Sequence, residues 1–340
     1  MTPAAGPPLP PSPLALTMGE PAGIGGELTL KAWRTAGCPP FVALDDPDRL
    51  GRLAETLGLD VPIAVIDDPA EAPGRFTEAL PVLPVPLDVP SVPGRTDPAN
   101  AGAVKESIER AVALTRAGRA AAVVTNPIHK AVLYAAGFTF PGHTEYLADL
   151  AGIDTPPVMM LACPGLRVVP VTIHVALSRA VETLTADAIY TAATITAHAL
   201  GRDFGIAHPR LAVAGLNPHA GEDGAMGTED RDIVAPAVAR LKAVGINAFG
   251  PLPADTMFHE RARAGYDAAI CMYHDQALIP VKTLGFDLGV NITLGLPFVR
   301  TSPDHGTALD IAGTGRARPD SLLAALRQAA AMAARRAAAP

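Results

Sequence analysis

Short apolar runs that break off in polar residues, glycine or proline recur along this 340-residue chain and constrain its fold more than any other feature. Leu14–Met18 runs into Gly19-Glu-Pro-Ala-Gly-Ile-Gly-Gly26, and Ala120–Thr125 into Asn126-Pro-Ile-His-Lys130. Leu211–Leu216 ends in Asn217-Pro-His-Ala-Gly-Glu222, and Tyr266–Tyr273 ends at His274. Phe41–Leu44, Val61–Ile66, Val158–Ala162 and Val168–His174 read as further strands, the last two as a pair. Between them lie segments of helical spacing: 27–33, a stretch to about Leu57, 100–116, 146–151, 179–201, 230–244 and 321–338. Continuous apolar runs separated by segments of period 3.6 describe buried strands with crossover helices. The expected fold class is α/β. Residues 68–100 read as a proline-rich excursion and 250–256 as a loop. No fixed-period repeat is present.

The length exceeds one ordinary core, so two lobes are expected. Hydrophobic residues make up 49% and aromatics only 4%, which suits an α/β enzyme better than a β-sandwich. A net charge of −7 argues against a nucleic-acid partner, which needs a basic face. Cys38, Cys163 and Cys271 are odd in number and lie far apart, the pattern of reduced thiols in a cytoplasmic protein. Residues 1–13 lack the charged and apolar regions of a signal peptide, and their prolines predict a disordered leader. No apolar stretch is long enough to cross a bilayer, so no membrane partner is expected.

The densest polar grouping is Cys271–Gly313, where His274, Asp275, Lys282, Asn291, Arg300, Asp304 and His305 stand between apolar runs. Lys, Arg and Asn supply N–H donors to a phosphate or carboxylate. Polar residues just past a strand's carboxyl end also lie where open α/β sheets bind ligands. His129 and Lys130 fit that reading or a simple helix start. His143 and Thr144 can hold a phosphate at a helix N-terminus, or Thr144 can merely cap it. The glycine turn at 19–26 lacks the G-x-G-x-x-G spacing and serves either a ligand loop or a tight connection. His174, His219 and His274 share one grammar, each at or beyond the end of a predicted strand. Three neutral imidazoles with an open fourth position make a catalytic divalent-metal site, suited to zinc. Each alone has the alternative of a hydrogen-bonded histidine at the sheet rim.

Gly19-Glu-Pro-Ala-Gly-Ile-Gly25, Gly142–Ala148, Gly215–Glu222, Gly250–Thr256, Tyr273–Gln276 and Val290–Gly313 together resemble the 4-hydroxythreonine-4-phosphate dehydrogenase family. The resemblance runs from Leu14 to the last helix. It implies a two-domain fold like that of isocitrate and isopropylmalate dehydrogenases, with the active site in a cleft. The first domain is expected over 14–140 and 285–338 and the second over 141–284, which also makes dimer contacts. The resemblance further implies a homodimer whose divalent metal (zinc, with magnesium or cobalt as alternatives) is held by His174, His219 and His274, shared across the dimer. Substrate would be bound by His143, Thr144, Lys282, Asn291 and Arg300, and the cofactor would be NAD or NADP, with no cofactor-binding residue assigned. Gly26 and Ala277 depart from the family pattern, at positions outside the proposed ligands.

The implied reaction oxidises 4-phosphohydroxy-L-threonine to a β-keto acid, which loses CO₂ to give 3-amino-2-oxopropyl phosphate in pyridoxal 5′-phosphate synthesis. Lys282, Asp255 and Asp275 are the candidate proton acceptors, with Asp275 alternatively orienting a ligand histidine. Other substrates would keep the same machinery: 4-phosphorylated threonate or erythronate, or a cyclic dihydrodiol with a carboxylate. A metabolite sensor without turnover is the reading from another class.

Overall fold

The apolar runs do become strands. The structure, a computed structural model, describes residues 12–338. Its described residues form two compact units that divide at 157/158 and 295/296, the second being residues 158–295.

The first unit begins with β1 (Leu14–Thr17), α1 (Gly25–Trp33), β2 (Phe41–Asp45), α2 (Pro47–Thr56) and β3 (Ile63–Val65). The proline-rich stretch supplies α3 (Ala72–Arg75) and β4 (Leu80–Pro84), so it contributes a strand to the sheet. Then come α4 (Ala101–Arg116), β5 (Val123–Thr125), α5 (Lys130–Ala135) and α6 (His143–Ala151). The second unit holds β6 (Val158–Cys163), β7 (Leu166–Pro170), α7 (Leu177–Thr183), α8 (Ala186–Phe204) and β8 (Arg210–Ala214). It continues with α9 (Ala235–Ala243), β9 (Asn247–Leu252), α10 (Glu260–Arg263), β10 (Ala268–Cys271), α11 (His274–Gly285) and β11 (Val290–Leu294). The chain then returns to the first unit as β12 (Arg300–Pro303) and α12 (Asp320–Ala338).

In the first unit the strand order is β3-β4-β2-β1-β5-β12, and every pairing is parallel. β1 and β2 are buried along their whole length, as expected of strands covered by helices on both faces. In the second unit the order is β11-β6-β7-β10-β8-β9. β6 pairs antiparallel with both β11 and β7, while β7, β10, β8 and β9 run parallel.

Several boundaries differ from the sequence expectation. The units divide at 157/158 and 295/296 instead of near 140 and 284. Tyr146, Leu147 and Ala151 of α6 pack in the first unit's core with Ile108, Leu133 and Phe138. β11 is stitched to β6 with Asn291 opposite Leu161, which keeps it in the second unit. The expected helix 179–201 is two helices, because Leu184 is extended and Thr185 caps α8 by accepting from Ala188 N–H at 3.1 Å. The expected loop at 250–256 begins as the end of β9; Pro251 is tolerated there because β9 is the last strand of its unit's order. Of the expected disordered leader, residues 1–11 lie outside the described residues. Ser12 and Pro13 are held in place, Ser12 Oγ donating to Gly118 O and Pro13 O accepting from Ala121 N–H.

Candidate active site

In the first unit the candidate residues gather beyond the carboxyl ends of β1 and β5 and at the start of β12. The glycine turn after β1 is a tight connection. Gly19 has φ +68°, and a Cβ there would lie 2.6 Å from the Pro127 carbonyl oxygen. Asn126, fully buried, donates from Nδ2 to Thr17 O at 3.0 Å and Thr29 Oγ1 at 3.1 Å, tying β5 to β1 and α1. Beneath the turn, Arg49 forms a two-pronged pair with Asp45 at 2.6 and 2.7 Å and donates to Pro21 O at 2.9 Å.

His143 is the first residue of α6 and Thr144 the second; the cap is Gly142, with extended backbone. Thr144 is therefore not the cap, and its hydroxyl stands in the first turn with the free backbone N–H groups. A Cβ on Gly142 would be 3.4 Å from Lys130 Nζ, which brings that ammonium beside the same turn. His143 Nε2 is sealed from solvent with no hydrogen-bond partner. Burial, then the Arg300 and Lys130 cations, hold the imidazole well below its usual range, so it is neutral at pH 7.

Arg300 is only 3% exposed and donates from Nη2 to Thr125 Oγ1 at 2.7 Å. Burial pushes its pKa down to about 10, which leaves it charged at neutral pH. A buried guanidinium, a nearby ammonium and a neutral imidazole make this an anion-seeking group. In sequence Lys130 fits a ligand role or a helix start, and Thr125 carries no signal, because nothing in its spacing announces a partner 175 residues away. His305 likewise carries no assigned role in the sequence. It donates from Nδ1 to Gly306 O at 3.0 Å, its Nε2 is sealed without a partner, and burial lowers its pKa. His129 caps α5 without a side-chain capping bond.

In the second unit the three expected metal histidines follow three adjacent parallel strands, β7, β10 and β8. His174 lies beyond the end of β7, with φ +52°. His274 is the first residue of α11. Their rings approach to 5.8 Å between centroids, at 44°. His274 Nδ1 is 2.6 Å from Asp275 Oδ1. A carboxylate only accepts, so Nδ1 carries the proton, and Nε2 is the nitrogen that the neutral ring can offer to a metal. A cavity of about 130 Å³ opens beside it, lined by Thr172, Val175, Tyr273, His274 and Asp275 among others.

His219 lies in a run of left-handed residues, 219–223, that includes Ala220, Glu222 and Asp223. Each such non-glycine residue costs about 1–2 kcal/mol, and strain of this kind persists only where the surroundings impose it. His219 Nδ1 is 3.6 Å from Glu222 Oε2, with both side chains largely exposed. Among the described residues no group of three or more donors lies close enough to hold a metal. Within one chain the structure thus brings His174 and His274 together and leaves His219 outside their group.

Asp255 is exposed on the turn Ala254–Thr256. Lys282 lies in the last turn of α11, its ammonium 5.7 Å from the Phe286 ring centroid. Asn291, on β11, has its Oδ1 sealed without a hydrogen-bond partner. Such an acceptor costs about 1–3 kcal/mol unless a ligand or water meets it.

Comparison with known proteins agrees with this architecture. The family model described as pyridoxal phosphate biosynthetic protein PdxA matches residues 36–329. The 4-hydroxythreonine-4-phosphate dehydrogenase of Methylorubrum extorquens (strain PA1) is 60% identical over 326 residues, 93% of each chain. The crystal structure of the Klebsiella pneumoniae 4-hydroxythreonine-4-phosphate dehydrogenase superposes with a TM-score of 0.87 at 40% identity, covering 95% of this chain and 98% of that one. A terephthalate 1,2-cis-dihydrodiol dehydrogenase from Burkholderia xenovorans LB400 matches with a TM-score of 0.65 at 31% identity, covering 94% and 98%.

Proposed function

The chain belongs to the PdxA family of dehydrogenases, and on that premise we propose that it oxidises 4-phosphohydroxy-L-threonine to a β-keto acid. Loss of CO₂ from that acid gives 3-amino-2-oxopropyl phosphate for pyridoxal 5′-phosphate synthesis. The carrying observation is the pair His174 and His274 beyond adjacent parallel strands, the second ring turned by Asp275 so that Nε2 is free to ligate. These donors fit a divalent ion. His219 completes the set in this reading, with ligands shared between two copies of the chain.

When bound, a zinc, magnesium or cobalt ion and NAD or NADP supply polarisation of the substrate oxygen and a hydride acceptor. The chain's own residues do the rest. Arg300 in the first unit, and Lys282 and Asn291 in the second, each offer donors suited to an anionic group of the substrate. His143 and Thr144 offer donors in the first turn of α6, where the helix dipole also favours phosphate. The neutral state of His143 lets it bond the ligand without adding another buried charge. Asp275, engaged by His274 at 2.6 Å, orients that ring. Lys282 and Asp255 are then the candidates for taking the alcohol proton.

The same reading makes the protein a cytoplasmic homodimer. Three unbridged cysteines suit a reducing compartment, and no helix among the described residues is long and apolar enough to cross a membrane. The likeness to the dihydrodiol dehydrogenase supports a second reading, in which a cyclic diol bearing a carboxylate takes the phosphorylated substrate's place.

NAD(P)H absorbance separates these readings. Metal-replete and chelator-treated protein would be offered 4-phosphohydroxythreonine, 4-phosphothreonate and a carboxylated dihydrodiol. The expected result is turnover of the phosphorylated amino acid that chelator abolishes and added metal restores. Preference for either other substrate would reassign the enzyme, and chelator-resistant turnover would remove the metal.

A further inference from the structure

Gln276 lies in the first turn of α11, two residues beyond His274, and is only 7% exposed. Its amide reaches away from its own helix in two directions. Oε1 accepts from the backbone N–H of Met272 at 2.7 Å, and Nε2 donates to the carbonyl of Gly215 at 2.7 Å. The orientation of the amide is forced, because a backbone N–H only donates and a carbonyl only accepts.

Both backbone groups belong to the roots of histidine segments. Met272 precedes His274 by two residues, and its carbonyl also accepts from Thr172 Oγ1 at 2.8 Å and Thr172 N–H at 3.3 Å. Thr172 in turn precedes His174 by two. Gly215 opens the segment that leads to His219. The next two amides of that segment, Leu216 and Asn217, donate to the buried carboxylate of Asp230 at 2.6 and 3.0 Å. One side chain therefore links the His219 segment to the His274 segment, and through Met272 to the His174 segment.

We infer that Gln276 is a positioning residue for the three histidines, fixing the His219 turn relative to the other two segments. The inference rests on the metal-ligand reading of those histidines. It holds with the imidazoles shared between two copies, because their spacing within each chain sets where each arrives. The left-handed run at 219–223 is strained and stays in place only while its surroundings hold it. Asp230 pins one side of its root and Gln276 the other. Without the amide, the Met272 N–H and the Gly215 carbonyl lose their buried partner, and the His219 turn is free to shift. A metal site tolerates only about 0.5 Å of misplacement.

The test is a Co²⁺ titration of the chelator-treated full-length protein, read by visible absorption and by affinity. The variants are Gln276→Leu, Gln276→Met and, as a control, Leu200→Ala in the buried face of α8. Both Gln276 variants should bind Co²⁺ about tenfold or more weakly, with an altered absorption band. Leu200→Ala should lower Tm and leave affinity and band unchanged. Gln276→Met preserves side-chain length and carries the reading if the leucine variant does not fold. Wild-type affinity and spectrum in a folded Gln276 variant would overturn the inference, as would an equal loss in Leu200→Ala. Wild-type protein that takes up no Co²⁺, or takes it up undiminished when His174 is replaced by Ala, would overturn the metal reading and this inference with it.

Discussion

Arg300 and His143 show how one residue can set the chemistry of another far away in sequence. The guanidinium is buried, bonded to Thr125 and still charged; it helps to keep the imidazole neutral. A buried guanidinium gives an anionic ligand charge-assisted hydrogen bonds that water would otherwise screen. Arg300→Ala should therefore weaken handling of the phosphorylated substrate by about 1.5–3 kcal/mol, or roughly 10- to 150-fold in kcat/KM. Steady-state kinetics would show it, and wild-type values in a folded variant would take Arg300 out of the site. The residue types in this group were readable from the sequence. Lys130 was one of two readings in the sequence and Thr125 entered the picture only in three dimensions, because their roles come from contacts with α6 and β12.

Among the elements, the β1–α1 connection shows how closely the chain packs where it leaves a buried strand. Gly19 has a left-handed backbone and no room for a side chain, with Pro127 O and Asn126 Cβ at 2.6 and 2.7 Å from a Cβ placed there. Gly19→Ala should destabilise the protein by several kcal/mol, at least the ~1–2 kcal/mol of the backbone term plus the cost of overpacking. Urea unfolding checks this, and a change below about 1 kcal/mol would mean the turn yields more easily than the geometry indicates. The strands carried clear signals because fully buried parallel strands are short unbroken apolar runs. The break between α7 and α8 was harder to see: both sides keep helical spacing, and the cap is a single threonine. β9 was obscured by Gly250-Pro251, which reads as a turn unless the strand is known to lie at the end of the sheet.

At the scale of the whole molecule, the second unit carries large apolar side chains on its surface. Leu177 and Val181 of α7 and Ile279 and Leu284 of α11 are exposed, as are Val175 and Phe286 just outside these helices. Their elements also carry His274 and line the cavity beside it. Exposed apolar side chains in such number mark an interaction surface, and a second copy of the chain is the occupant that the shared-ligand reading requires. If the proposed homodimer uses this surface, Ile279→Asp should shift it from dimer to monomer in sedimentation velocity and reduce the proposed metal-dependent turnover with it. A variant that stays dimeric would place the interface elsewhere.

The sequence alone determined the α/β class, most of the strands and the family, and it singled out the candidate residues for binding anions and metal. Local patterns carry that information: buried strands need apolar runs, and ligand chemistry needs particular side chains just past their ends. Only the tertiary structure decided where the units divide, that α6 packs with the first and β11 with the second. It also decided that His143 is neutral, that His274 is oriented by Asp275, and that Gln276 links Met272 to Gly215. These properties depend on burial and on bonds between segments 61 to 175 residues apart or on backbone direction at a single position, and no periodicity in the chain encodes either.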